Sequence, residues 1–276
     1  MQSSRSIWRV VASLFLALAL AVSGAFPASA VSYPDSMAAL GDSITRAFNT
    51  GSAFRDAPQN SWTTGTSTSV QSLYLRLLPY NPALSGRNFN YAVSGAKMQD
   101  LQGQAARVTS TIQYVTILMG ANDVCTSSEA TMTSVAAFQS QFAAAMNTLQ
   151  ANAPNAQVYV VSIPDAYRLW SILKGTPSAR LTWALLRICQ SMLANAGSTS
   201  SADQARRQRV RQRNIDFNTA LAQVCAQYAN CRFDGNAAFN TAFVTADVST
   251  RDYFHPSLAG QAKLASVAWG ASGFAP

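Results

Sequence analysis

Apolar, β-rich runs alternate with stretches of helical periodicity along most of the chain. Ser36–Leu40, Phe89–Val93, Tyr114–Met119, Gln157–Ser162 and Cys231–Phe233 read as strands. The third and fourth are almost continuously apolar, the pattern of strands covered on both faces. Helical spacing runs through Val70–Leu78, Met98–Val108, Val135–Ala151, Ala179–Leu193, Asp203–Tyr228 and Ser257–Trp269, with Ser69, Ser134 and Ser178 placed as N-caps. The alternation predicts an α/β fold with a parallel sheet and helices on both faces. No repeat or long polar linker divides it. Two stretches break the pattern: Asn49–Thr68, rich in Gly, Ser, Thr and Asn, and the small polar turn Gly197–Ser201. The first is long for an α/β connection, and such loops are more often functional than idle.

The N-terminus follows a different pattern. Arg5 and Arg9 precede the uncharged apolar run Val10–Val22, and Ala28-Ser29-Ala30 supplies the small residues that signal peptidase accepts. The run falls short of the ~20 residues that span a bilayer. Residues 1–30 therefore read as a cleaved secretory signal rather than an anchor, with 31–276 as one exported, extracellular domain and no later spanning segment. Four cysteines in an exported chain suggest two disulfides. Cys225 and Cys231 can close a short loop, which leaves Cys125 to pair with Cys189. Zinc is the competing reading, but there is no C-x-x-C pair and the single histidine leaves few ligands.

The net charge of +8 is basic without being extreme, and Arg5 and Arg9 supply two of those charges. It suits an anionic surface or ordinary solubility equally, so composition does not decide. The densest charge run, Gln204–Arg213, holds five arginines that a helix would spread around its circumference. It reads as a solvated helix surface, with attraction to anionic lipid as the sharper alternative.

Leu40-Gly41-Asp42-Ser43-Ile44 lies where the first strand should end, the edge at which α/β sheets gather ligands. A serine hydroxyl there can face a cleft, although Gly-Asp-Ser is also ordinary turn chemistry. Gly120-Ala121-Asn122-Asp123 follows the third strand, where a carboxamide can donate to an oxyanion, and Ser94-Gly95 follows the second. Asp252-Tyr253-Phe254-His255 precedes the last helix. An acid three residues before a histidine can reach Nδ1 and fix the tautomer, leaving Nε2 to take a proton. His255 is the only histidine in the chain, so a serine hydrolase of this sequence has no other imidazole base.

Taken together these segments resemble the SGNH, or GDSL-type, hydrolases. Gly41-Asp42-Ser43 is similar to their first block, Gly95 to the second, Gly120-x-Asn122-Asp123 to the third and Asp252-x-x-His255 to the last. The resemblance implies a flavodoxin-like three-layer α/β/α sandwich around a mostly parallel five-stranded sheet. It further implies Ser43 as nucleophile, His255 as base with Asp252, and an oxyanion hole from Ser43 N–H, Gly95 N–H and the Asn122 side chain. The G-x-S-x-G elbow of other α/β hydrolases is absent. Ser61–Gly65, Tyr91–Lys97, Gly120–Cys125 and Ser162–Asp165 resemble segments of phospholipase B-like lipases, which cleave fatty acyl esters of phospholipids or lysophospholipids. Two-step acyl transfer at neutral to alkaline pH, without metal or organic cofactor, is the expected chemistry.

The expected partner is a lipid or other ester at a membrane or micelle surface. No nucleic-acid partner is expected, and the chain is expected to act as a monomer. Trp62, Trp170, Trp183 and Phe254 are candidates to line an acyl groove. A carbohydrate O-deacetylase would use the same residues in an open polar cleft, and a non-catalytic lipid- or glycan-binding protein would bind without turnover.

Overall fold

The computed structural model describes residues 32–275, so the secretory signal expected at 1–30 lies outside the described residues. The strands are β1 (Met37–Gly41), β2 (Asn88–Asn90), β3 (Tyr114–Leu118), β4 (Gln157–Val160) and β5 (Cys231–Phe233). They form one sheet in the order β2-β1-β3-β4-β5, and every pairing is parallel rather than mostly so. The helices are α1 (Leu73–Leu77), α2 (Leu101–Ala105), α3 (Ala121–Val124), α4 (Val135–Asn152), α5 (Ala166–Leu173), α6 (Pro177–Leu185), α7 (Gln190–Leu193), α8 (Ser201–Cys225), α9 (Ala237–Asn240) and α10 (Leu258–Ala271).

Side chains alternate across the sheet, so each central strand feeds two cores. Ala38, Leu40, Val115, Ile117, Val158 and Val160 pack on the side covered by α2, α4 and α8. Met37, Tyr114, Leu118 and Tyr159 pack on the side covered by α1, α9 and α10. This makes a three-layer α/β/α sandwich. No helix of the described residues is long and apolar enough to cross a membrane.

Several expected elements have other bounds. The strand expected at Phe89–Val93 is confined to Asn88–Asn90 at the sheet edge, although Tyr91 N–H and Val93 N–H still donate to Ala39 and Gly41 carbonyls. The first helix is shorter than Val70–Leu78 and is capped by Ser72, whose Oγ accepts from Leu75 N–H, rather than by Ser69. The helix expected over Met98–Val108 opens as a 3-10 turn, Met98–Asp100, before α2. Ser134 caps α4 as expected.

The helix expected over Ala179–Leu193 is two helices. Arg187 and Cys189 both have φ in the left-handed region, and Cys189 is held by its disulfide to Cys125. Its N-cap position is Thr176, with Pro177 in the first turn, rather than Ser178. Helix α5 was not expected; the Asp165 carboxylate accepting from Tyr167 N–H after Pro164 is the start signal that marks it.

The second disulfide, Cys225–Cys231, joins the end of α8 to β5. The arginines of α8, expected to be spread over a solvated helix surface, are instead partnered or buried. Arg206, Arg209 and Arg211 pair with Asp203, Glu129 and Asp165, Arg213 donates to the Thr133 carbonyl, and Arg207 is fully buried.

Phe138 of α4 stacks on Phe217 of α8 with centroids 4.0 Å apart, and both are fully buried. Replacing so large a core ring leaves a cavity its neighbours cannot fill. Phe138→Ala is expected to cost about 3–5 kcal/mol of unfolding free energy, measured by urea denaturation.

Candidate active site

Three strand ends build the site. Gly41 closes β1 opposite Leu118, with φ of +152°. A Cβ at Gly41 would lie 2.4 Å from the Leu118 carbonyl oxygen and 2.6 Å from Thr45 Oγ1, so only glycine fits. The buried Gln104 carboxamide grips the same residue twice: Gly41 N–H donates to Gln104 Oε1 at 2.8 Å, and Gln104 Nε2 donates to Gly41 O at 2.9 Å. The chain then winds through a turn in which Arg46 N–H and Phe48 N–H donate to the carbonyls of Asp42 and Ser43. Gln261 of α10 holds that turn by donating from Nε2 to Ile44 O, while its Oε1 accepts from Trp62 N–H.

Ser43 Oγ lies 2.8 Å from His255 Nε2, and His255 Nδ1 lies 2.6 Å from Asp252 Oδ2. Tyr253, with φ of +55°, turns the segment back so that Asp252 Oδ1 also accepts from Phe254 N–H and His255 N–H. Burial pushes the Asp252 carboxyl up, but the His255 hydrogen bond and charge together with those amides outweigh it and hold the carboxyl below its ordinary value. The imidazole is flanked by the rings of Phe48 and Phe254, with centroids at 4.9 and 5.0 Å. A hydroxyl held against an imidazole backed by a carboxylate can give up its proton as it attacks an electrophile.

Asn49 was not anticipated from the sequence. It is buried, has φ of +64°, and donates from Nδ2 to Asp252 Oδ2, while its own Oδ1 accepts from Phe54 N–H. Asparagine at the head of a long loop, a residue type suited to the left-handed region, was the available signal.

Asn122 sits in the first turn of α3 beyond Gly120, where a Cβ would meet Ile163 Cδ1 at 2.5 Å and the Phe138 ring at 2.9 Å. Its Nδ2 donates to Ala96 O at 2.9 Å, and the second amide hydrogen is left for another acceptor. This bond ties Asn122 to the turn containing Gly95, whose φ is +85°. Asp123 braces the same turn by accepting from Met98 N–H and from Thr133 Oγ1; burial pushes its carboxyl up.

Ser43, Asn122 and His255 line one cavity of about 100 Å³ with Ile44, Val124, Ile163, Leu169 and Phe254. Gly95 lines a separate shallow depression across the Ala96–Asn122 contact. Of the four aromatic candidates for the groove, only Phe254 lines this cavity. Trp62 and Trp183 are buried in the two cores, and Trp170 faces another cavity beyond α5. Indole rings filled packing volume, which periodicity cannot tell from pocket lining. Among the described residues no cluster of three or more His, Cys, Asp or Glu side chains is gathered to hold a metal.

The model of the GDSL-like Lipase/Acylhydrolase family matches residues 37–268. The chain belongs to this family. It is an ester hydrolase of the GDSL type, and the fold of the family is shared by solved structures. An extracellular lipase from Streptomyces rimosus is similar at 18% identity and TM-score 0.51, covering 86% of this chain and 99% of that one. A putative GDSL-like lipase from Parabacteroides merdae is similar at 17% identity and TM-score 0.51, covering 87% and 96%. Phospholipase A1 from Streptomyces albidoflavus shows 19% identity and TM-score 0.46, covering 82% and 94%. No curated protein matches this sequence.

The GDSL aspartate, Asp42, is fully buried: its Oδ1 accepts from Ile44 N–H and its Oδ2 has no partner. Burial raises its carboxyl to about 7. A carboxyl raised on folding favours the native state below its unfolded value, and that contribution is lost as pH rises from about 4 to about 7. Asp42→Asn keeps the acceptor for Ile44 and cannot ionise. Thermal melts should show the variant gaining on the parent between pH 5 and pH 8; a constant gap would contradict the buried, unpaired carboxyl. Asn49→Ala should lower kcat with little change in KM, since it orients Asp252 without lining the cavity. A KM effect alone in steady-state kinetics would exclude that role.

Proposed function

We propose that Ser43 is the nucleophile, His255 the general base and Asp252 the acid that orients it, in two-step hydrolysis of a carboxylic ester with an apolar acyl chain. The observation that carries this reading is the unbroken Ser43–His255–Asp252 hydrogen-bonded line in the wall of an apolar cavity. His255 Nε2 takes the Ser43 proton as Oγ bonds to the ester carbonyl carbon. The Ser43 and Gly95 amides and the Asn122 carboxamide are assigned to the oxyanion, each well-placed donor contributing about 3 kcal/mol to the transition state. The intermediate collapses, the alcohol departs with the proton from His255, and water repeats the sequence on the acyl-enzyme to release the acid.

The apolar lining favours a fatty acyl group over an acetyl group in an open polar cleft, and so a phospholipid or lysophospholipid ester. Export fits the arginine-led apolar segment within residues 1–30 and the two disulfides.

Ser43→Ala should lower turnover roughly 10⁴-fold or more, and Asn122→Ala about 10²–10³-fold in kcat. Product analysis on diacyl phospholipid, lysophospholipid and a p-nitrophenyl ester series checks both the residues and the substrate. A sharp preference for acetyl esters would sink the lipid reading. Undiminished turnover by Ser43→Ala would sink the mechanism.

A further inference from the structure

Helix α6 turns Trp183 inward, where its indole N–H donates to Tyr253 O, two residues before His255. Its outward face carries Leu181 and Leu185, one turn apart and 60% and 71% exposed, followed by Leu186 at 52%. Large apolar side chains clustered this openly mark a contact surface rather than scattered exposure.

The same helix contributes Arg180, the residue before Leu181, to a cavity of about 470 Å³ between α5, α6 and α8, separated from the acyl cavity by α5. Leu169 and Ile172 of α5 line the acyl cavity, while Trp170 and the following Lys174 line this one. It holds three cations, Lys174, Arg180 and Arg207, and no carboxylate. Lys174 and Arg180 are exposed and, among the described residues, have no acidic partner within salt-bridge distance. Arg207 is fully buried against the Trp170 ring, 4.3 Å from its centroid. Its Nη2 donates to Ser198 O, but Nε and Nη1 have no partner. It alone among the five arginines of its run has two buried, unanswered donors. The nearby Asp203 is engaged by Arg206 and Ser200. A buried, underpartnered guanidinium beneath two exposed cations favours an anion above it.

We propose that this face docks on an anionic phospholipid surface, with Leu181, Leu185 and Leu186 entering the acyl layer and a headgroup phosphate held at the Lys174–Arg180–Arg207 cavity. Apolar insertion beside cationic side chains is the chemistry of interfacial binding. The inference rests on the lipid-ester reading and deepens it: α5 is a wall of both cavities, so docking here sets the acyl cavity one helix away from the lipid surface.

The test is co-sedimentation of the full mature protein, carrying Ser43→Ala so that lipid is not consumed, with phosphatidylcholine vesicles with and without phosphatidylglycerol. Affinity should rise with phosphatidylglycerol. Lys174→Met/Arg180→Met should remove that gain, about fivefold per cation. Leu185→Ser, at a position too exposed to support the core, should weaken binding to both vesicles about fivefold, and Leu181→Ser/Leu185→Ser more.

In the Ser43 background, all of these variants should hydrolyse a soluble short-chain ester like the parent. Equal vesicle affinity in the leucine variants, indifference to phosphatidylglycerol, or binding of inorganic phosphate without vesicle binding would each overturn the proposal. So would dimerisation through this face in sedimentation equilibrium. Failure of docking with soluble ester turnover intact leaves the hydrolase reading standing. Undiminished ester turnover in Ser43→Ala would sink that reading while leaving docking to stand on its own.

Discussion

The active site depends on how closely β1 can lie against the end of β3. Gly41 approaches the Leu118 carbonyl so nearly that a single Cβ would overlap it, and the Gln104 carboxamide clamps both polar groups of that glycine. Two residues later the chain presents Ser43, and four residues beyond the end of β3 it presents Asn122. Their placement on one cavity follows from parallel register, in which neighbouring strands end at the same edge. Any larger residue at Gly41 would require separating the strands, and with them Ser43 and Asn122, which line one cavity.

His255 arrives from a distant part of the chain and is fixed by a different device. The Asp252–His255 segment is a tight turn whose carboxylate satisfies two amides and the ring nitrogen, with Asn49 donating to the same carboxylate from the opposite loop. A carboxylate with four donors has little freedom to rotate, so the imidazole it holds keeps one orientation. The long loop after Ser43 therefore helps hold the His255 imidazole, through Asn49 and the carboxylate they share.

The same helices that line the Ser43 cavity also shape the outer surface. Helix α5 has the Ser43 cavity on one side and the cationic cavity on the other, and α6 anchors the His255 segment through Trp183 while exposing leucines. The Cys125–Cys189 disulfide ties the corner after α6 to the end of α3, the helix that carries Asn122. Covalent and hydrogen-bonded contacts thus tie α6 to the segments that carry Asn122 and His255.

The sequence by itself determined the α/β alternation, the two disulfide pairs and the three segments, carrying Ser43, Asn122 and His255, that meet at one cavity, because these rest on local period, composition and spacing. Ser43, His255, Asp252 and Asn122 were legible since each stands at a strand end or in a capped turn. The tertiary structure alone decided what depends on contacts remote in sequence. The break at Arg187–Cys189 follows from backbone turns beside a disulfide, and the roles of Asn49 and Gln104 follow from partners about 200 and 63 residues away. The fates of Trp62, Trp170 and Trp183, and of the arginines in α8, were equally hidden. An indole or a guanidinium in a periodic pattern shows that a helix has two faces, but which neighbour meets each face is set only when the layers pack.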